Sequence, residues 1–308
     1  MRHSSPRARD AAHPVTATPD PSADLSGRPR FPEPVRVLIA FVALVAAIFL
    51  PLLPQLPLAR MIDVRAMSLG TQVALGVVFL ALTTALAYVF VVLAARHIDR
   101  VPLAAYGLGR SAGRTLGALG IGLLIAVLVM VATAGVAGAL GWSRPMDDVT
   151  QGVPMVWAVI HLLGLAFLLQ GIPEELIFRG YLLTTLRRHG WAASVWISAA
   201  VFGVAHLISA GGQEGWVERV LYLAGPFGFA VAAGALRLLT DSVWAAVGIH
   251  AGAHVGTFIA GLLGLSVEGP FPWIVSGVVF TLVGVVVLRM FARRREEGRA
   301  TIAGLPAD

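Results

Sequence analysis

Apolar residues in this chain come in long unbroken runs rather than in alternation or in narrow helical stripes. Such runs, each of about 18 residues or more and so able to cross ~30 Å of hydrocarbon, recur along the chain. They cover roughly 37–53, 72–95, 116–140, 153–169, 191–209, 220–239, 243–265 and 273–291. Barrel strands would alternate apolar and polar positions, and these runs do not, so the pattern predicts helices. A further helical segment, 173–188, continues the fourth run and carries two adjacent glutamates. The expected fold is therefore all-α, a polytopic membrane helix bundle of about eight transmembrane helices.

Composition agrees with the pattern. Hydrophobic residues make up 57% of the 308, charged residues only 13%, and the mean hydropathy is +0.81. The absence of cysteine excludes disulfides and thiolate metal sites. Residues 1–34, rich in Pro, Arg, Ala and Ser, read as a disordered basic arm, with His3 and His13 as solvated bystanders. The arm runs directly into the first span and resembles a signal anchor more than a cleaved leader. The bundle is expected over 35–292, followed by a tail over 293–308.

All 23 basic residues are Arg, and they give a net charge of +6. They lie at span ends rather than in one patch, which argues against nucleic acid as a partner. With the N-terminus inside, the cytoplasmic segments collect Arg96, Arg100, Arg110, Arg114, Arg187, Arg188, Arg289 and Arg293 to Arg295, among others. The opposite loops hold only Arg60, Arg65, Arg144 and Arg219. That bias predicts an integral protein of a bacterial-type plasma membrane with both termini cytoplasmic and lipid as a constant partner.

Ionisable groups inside apolar spans are costly, and each one marks a candidate site. Here they are Glu174, Glu175, Arg179, His161, His206, His250 and His254, with Arg237 at a span end. Glu175 and Arg179 stand four apart, the spacing of an ion pair on one helix face, while Glu174 projects about 100° away. One carboxylate can then be neutralised while its neighbour stays free for proton chemistry. Pro173 suits the first turn of a helix, so a kink or restart is expected there, with both glutamates near a helix N-terminus. His250 and His254 share a face, and Gly248, Gly252 and Gly256 repeat on the opposite one. This small-residue spacing predicts close approach to a neighbouring helix, with the imidazoles turned into the bundle. A lone intramembrane histidine is more often a packing residue, so His161 stays unassigned. Asp147, Asp148, Glu214, Glu218 and Glu268 read as solvated loop charges.

Glu174-Glu175-xxx-Arg179, Phe202-xxx-His206 and His250-xxx-His254, in this order on successive spans, resemble the CPBP family of intramembrane proteases. That family includes the CAAX prenyl endopeptidases, the Ras-converting enzymes among them, and bacteriocin-processing or immunity proteins. Phe178-Arg179-Gly180-Tyr181-Leu182 and Ser242-Val-Trp-Ala-Ala246 extend the likeness, which covers about 152–265 as a CPBP-type core. The family usually carries Asn or Asp where this chain has His254, and an amide or an imidazole can each donate a hydrogen bond. The resemblance implies an endopeptidase acting on a membrane protein or a membrane-associated or lipidated peptide. In it Glu174 and His206 would activate a water, with Glu174 as general base. His250 and His254 would stabilise the oxyanion, and Glu175, Arg179 and Phe202 would support them. It also implies an option for zinc on Glu174, His206 and His250, with His254 as a further candidate ligand, beside a metal-free Glu/His route. No His-Glu-x-x-His is present. A non-catalytic scaffold or immunity protein is the alternative, and a transporter or proton relay ranks last because no inverted repeat is visible.

Overall fold

The continuous apolar runs become continuous helices. The computed structural model describes residues 29–303 apart from positions 55, 56, 58–60, 146, 147, 151 and 210. Most of the basic arm, with His3 and His13, therefore lies outside the described residues, as does Asp147. Among the described residues eight helices are long and apolar enough to cross a membrane. They are α1 (Glu33–Leu52), α2 (Leu69–Asp99), α3 (Ala112–Leu140), α4 (Met155–His189), α5 (Trp191–Ile208), α6 (Gly215–Thr240), α7 (Val243–Leu262) and α8 (Pro270–Gly298). The protein is an all-α, polytopic membrane helix bundle. Helix starts are fixed by caps that hydropathy does not register, and α2 begins three residues ahead of its apolar run. Ser68 accepts from the Thr71 N–H at 3.2 Å and Ser242 from the Trp244 N–H at 3.3 Å. The last helix continues beyond the apolar run to Ala303.

The glutamate segment does not restart at Pro173. Gly171, Ile172 and Leu176 all hold right-handed helical angles, and α4 passes through the proline without a break. Two wide turns of π-helix, Gly164–Gly171 and Leu176–Leu182, absorb the disruption instead. A proline removes one backbone bond and crowds the carbonyl four residues back; widening the turn relieves that crowding. The Ile172 N–H accordingly reaches Phe167 O rather than Leu168 O. Leu168 O is taken by the Thr84 hydroxyl of α2 at 2.6 Å. Glu174 and Glu175 therefore sit within a continuous helix, with no orphan N–H groups of a helix start around them.

α7 lies centrally, with α3 on one side and α4 and α6 on the other. Its glycines face α3, as their spacing predicts. A Cβ on Gly248 would stand 2.1 Å from Leu119 O, and one on Gly252 would stand 2.5 Å from Leu123 O. Gly122 of α3 returns the contact against Ala245 O. Backbones this close turn the other face of α7, which carries His250, toward α4 and α6.

The end of the bundle that carries most arginines is closed by the segment between α2 and α3. Asp99 pairs with Arg36 of α1 at 2.9 Å and accepts from the Tyr106 hydroxyl at 2.7 Å. Burial, together with Asp99, pushes the Tyr106 phenol far above its ordinary range, so it stays a donor. The Arg237 guanidinium, expected only at a span end, is buried and donates to Ala105 O at 2.9 Å. Gly107, with φ +79°, lets the Val243 N–H reach its carbonyl at 3.0 Å. Arg110 and Arg237 both pair with Asp241, while Arg188 and His189 of α4 clasp Glu33 of α1.

Candidate active site

Four helices bring the site together. From α4, Glu175 Oε1 accepts Arg179 Nη1 at 3.0 Å, with both side chains wholly buried. The same oxygen accepts His250 Nδ1 of α7 at 2.9 Å. The Arg179 Nε and Nη2 atoms have no hydrogen-bond acceptor among the described residues. The faces of three rings surround the guanidinium instead, with Phe202 at 4.4 Å and Phe178 and Phe229 each at 5.7 Å. Cation–π attraction strengthens when the cation is desolvated, to about 2 kcal/mol or more, so an aromatic cage suits a buried arginine.

Glu174 behaves differently from its neighbour. It is buried, yet it accepts no hydrogen bond from any described residue. It lies within electrostatic reach of His250, Glu175 and Arg179. His206, at the end of α5, is held through Nδ1, which donates to Phe202 O at 2.8 Å. A carbonyl can only accept, so this bond places the proton on Nδ1 and leaves Nε2 of neutral His206 as a proton acceptor. By the same argument neutral His250 donates from Nδ1 to Glu175 and presents Nε2 as an acceptor. His254 stacks on His250, with ring centroids 5.5 Å apart and planes 18° from parallel. Phe202 separates the two groups of imidazoles, 4.5 Å from the His206 ring and 6.4 Å from that of His250.

Around Phe202 the fold gathers Glu175, Arg179, His206 and His250, with Glu174 on the same helix and His254 on the next turn of α7. His161 is not among them; it lies exposed near the start of α4. Glu218 is not a free loop charge: it sits on α6 and holds Arg144 Nη2 at 2.5 Å.

Three contributors leave no mark in the sequence. Phe229 of α6 packs edge-on to His250 at 4.9 Å, but its segment holds two similar phenylalanines and nothing distinguishes them. Thr84 reads as an ordinary small polar residue until the π-turn frees a carbonyl beside it. Tyr222 of α6 is within electrostatic reach of Glu174, and its ring lies against Gly211.

A metal would need three converging ligands and an open position. Among the described residues no group of three or more His, Asp or Glu side chains lies close enough to hold an ion. Glu174, His206 and His250 thus do not form a ready zinc set as placed, and His250 is engaged by Glu175.

No curated protein matches the chain. Over residues 155–256, from the start of α4 into the histidine helix α7, the chain matches the model of the family described as type II CAAX prenyl endopeptidase Rce1-like, and this stretch, holding every titratable residue of the site above, carries its likeness to the CAAX proteases.

Proposed function

We propose that the protein is an intramembrane endopeptidase, with residues 152–265 as its catalytic core. The observation that carries this reading is the inequality of the paired carboxylates. Glu175 is tied to a guanidinium and an imidazole, while its neighbour Glu174 is buried with no hydrogen-bond donor among the described residues. A buried carboxylate with no partner is costly unless it has work to do.

In the proposed reaction a water lies between Glu174 and the Nε2 atom of His206. Glu174 takes its proton as the oxygen attacks the substrate carbonyl carbon. The oxyanion is met by His254, whose ring has no hydrogen-bond partner among the described residues, and by His250 when it is imidazolium. Neutral His250, with its proton held on Nδ1 by Glu175, has no hydrogen left to offer from Nε2. On collapse the C–N bond breaks and Glu174 returns its proton to the leaving amine, so that water has been divided between the two products. Arg179 and Glu175 set the rotamer of His250. Because the ligand set does not converge, no step runs through a metal. Substrates are membrane proteins or membrane-associated peptides. The arginine distribution supports an orientation in which both termini, with the arm over 1–34 and the tail over 293–308, face the cytoplasm of a bacterial-type plasma membrane.

The test is cleavage by the purified protein, in lipid, of a library of quenched membrane-associated peptides. Glu174→Ala and His206→Ala should each lower the rate by about 10²–10⁴-fold while leaving the thermal unfolding midpoint near that of the parent. Equal cleavage by folded Glu174→Ala protein would remove the proposal. The non-catalytic scaffold would then be the better reading, since such a protein could retain the Glu175–Arg179–His250 ties while needing no free base.

A further inference from the structure

The site helices change character at the level of the catalytic groups. On α4 every residue over 173–186 is buried, whereas Met155, Val156, His161 and Leu163 nearer its start are exposed. On α6 the buried stretch is 228–238, and Trp216, Val217 and Val220 are exposed. On α7 the stretch 245–252 is buried, and from 253 to 261 the residues are half-buried except for Gly256 and Ala260. All three buried halves point to the arginine-rich end. Glu174 and His250 stand at the edge of this solid floor, and beneath them the α2–α3 segment adds Ala105 and Gly107 against Arg237.

The opposite end is built differently. His206, Ser209, Tyr222 and His254 are half-buried there, and α5 ends two residues after His206. The surrounding loops are tied rather than loose. Arg144 donates to Gly212 O at 2.7 Å and to Glu218, and its N–H reaches Glu268 O at 3.0 Å, joining three loops round the mouth. Trp142 and Trp216, both exposed, mark this end as a membrane–water boundary.

Resting on the endopeptidase reading above, we infer that the site is reached only from the end opposite the arginines. By the positive-inside bias that end is extracytoplasmic. The substrate class is then a peptide segment of a protein already carried across the membrane, presented at its outer surface. A cytoplasmic prenylated C-terminus would meet the closed floor.

The chain has no cysteine, so single-cysteine variants report access directly and independently of any peptidase assay. Ser111→Cys marks the arginine-rich end, Glu214→Cys the opposite loop, and Ser209→Cys the passage beside His206. A membrane-impermeant maleimide applied to spheroplasts should label Glu214→Cys and Ser209→Cys and leave Ser111→Cys untouched. Inverted vesicles should give the reverse. Leu207→Cys serves as a second passage reporter should Ser209→Cys fail to accumulate. Reaction of the passage cysteine from the Ser111 side, or from neither side, overturns the inference, and so does labelling of Ser111→Cys from outside. If the passage labels as expected but no peptide is cut, the proposed activity fails while the direction of access stands.

Discussion

Asp99 and Glu175 are both buried carboxylates that face an arginine, yet they serve different ends. Asp99 uses both oxygens, one on Arg36 and one on the Tyr106 hydroxyl. Its partners come from α1 and from the α2–α3 segment, so the charges fasten a loop onto the end of the bundle. Glu175 places both donors, from Arg179 and His250, on a single oxygen, and Oε2 has no hydrogen-bond partner among the described residues. Next to it stands Glu174, which accepts no hydrogen bond from any described residue. The first cluster is nearly closed and structural; the second fixes one group in order to leave another exposed to chemistry. Charge in the apolar interior is thus not itself a sign of catalysis. What separates the two clusters is the acceptor capacity left over after the structural ties are made.

That distinction can be broken by substitution. Arg179→Ala should have the largest effect, because it strands Glu175 as a buried unpaired charge. A loss of about 3–5 kcal/mol in unfolding free energy is expected, together with loss of cleavage as His250 loses its anchor. A variant that unfolds like the parent would show that the aromatic cage and Arg179 carry little of the fold. Tyr106→Phe comes next. It removes one donor to a buried carboxylate and should cost about 1.5–3 kcal/mol, with the specific activity of the folded fraction unchanged. Coupled loss of activity in that variant would erase the contrast between the two clusters. His161→Ala should be the smallest, within about 0.5 kcal/mol of the parent and neutral in cleavage, since the side chain is exposed and remote from Phe202. Thermal unfolding in lipid and cleavage assays on the same preparations read all three.

The groups that made the centre legible are those that hydrocarbon penalises most. Glu174, Glu175, Arg179, His206, His250 and His254 stand out because almost everything around them is apolar, and their separations of four place them on shared faces. Tyr106, Thr84 and Phe229 do not stand out, since each is unremarkable in composition and acquires its role from a partner distant in sequence. Pro173 misleads for a related reason. A local rule predicts a helix start, but a wider turn upstream and a hydroxyl from α2 satisfy the backbone at lower cost than breaking the helix.

From the amino-acid order alone come the eight spans, the side on which arginines accumulate, the glycine face of α7 and the Glu175–Arg179 pair. All follow from short-range periodicity or from the cost of moving a residue type into lipid. Tertiary structure alone decided that His250 shares the oxygen held by Arg179, that Phe202 stands between the imidazoles, and that α4, α6 and α7 are buried throughout on the arginine-rich side of the glutamates. Those outcomes depend on which helices lie side by side, and a helix's own sequence registers its neighbours only as a face that must be buried.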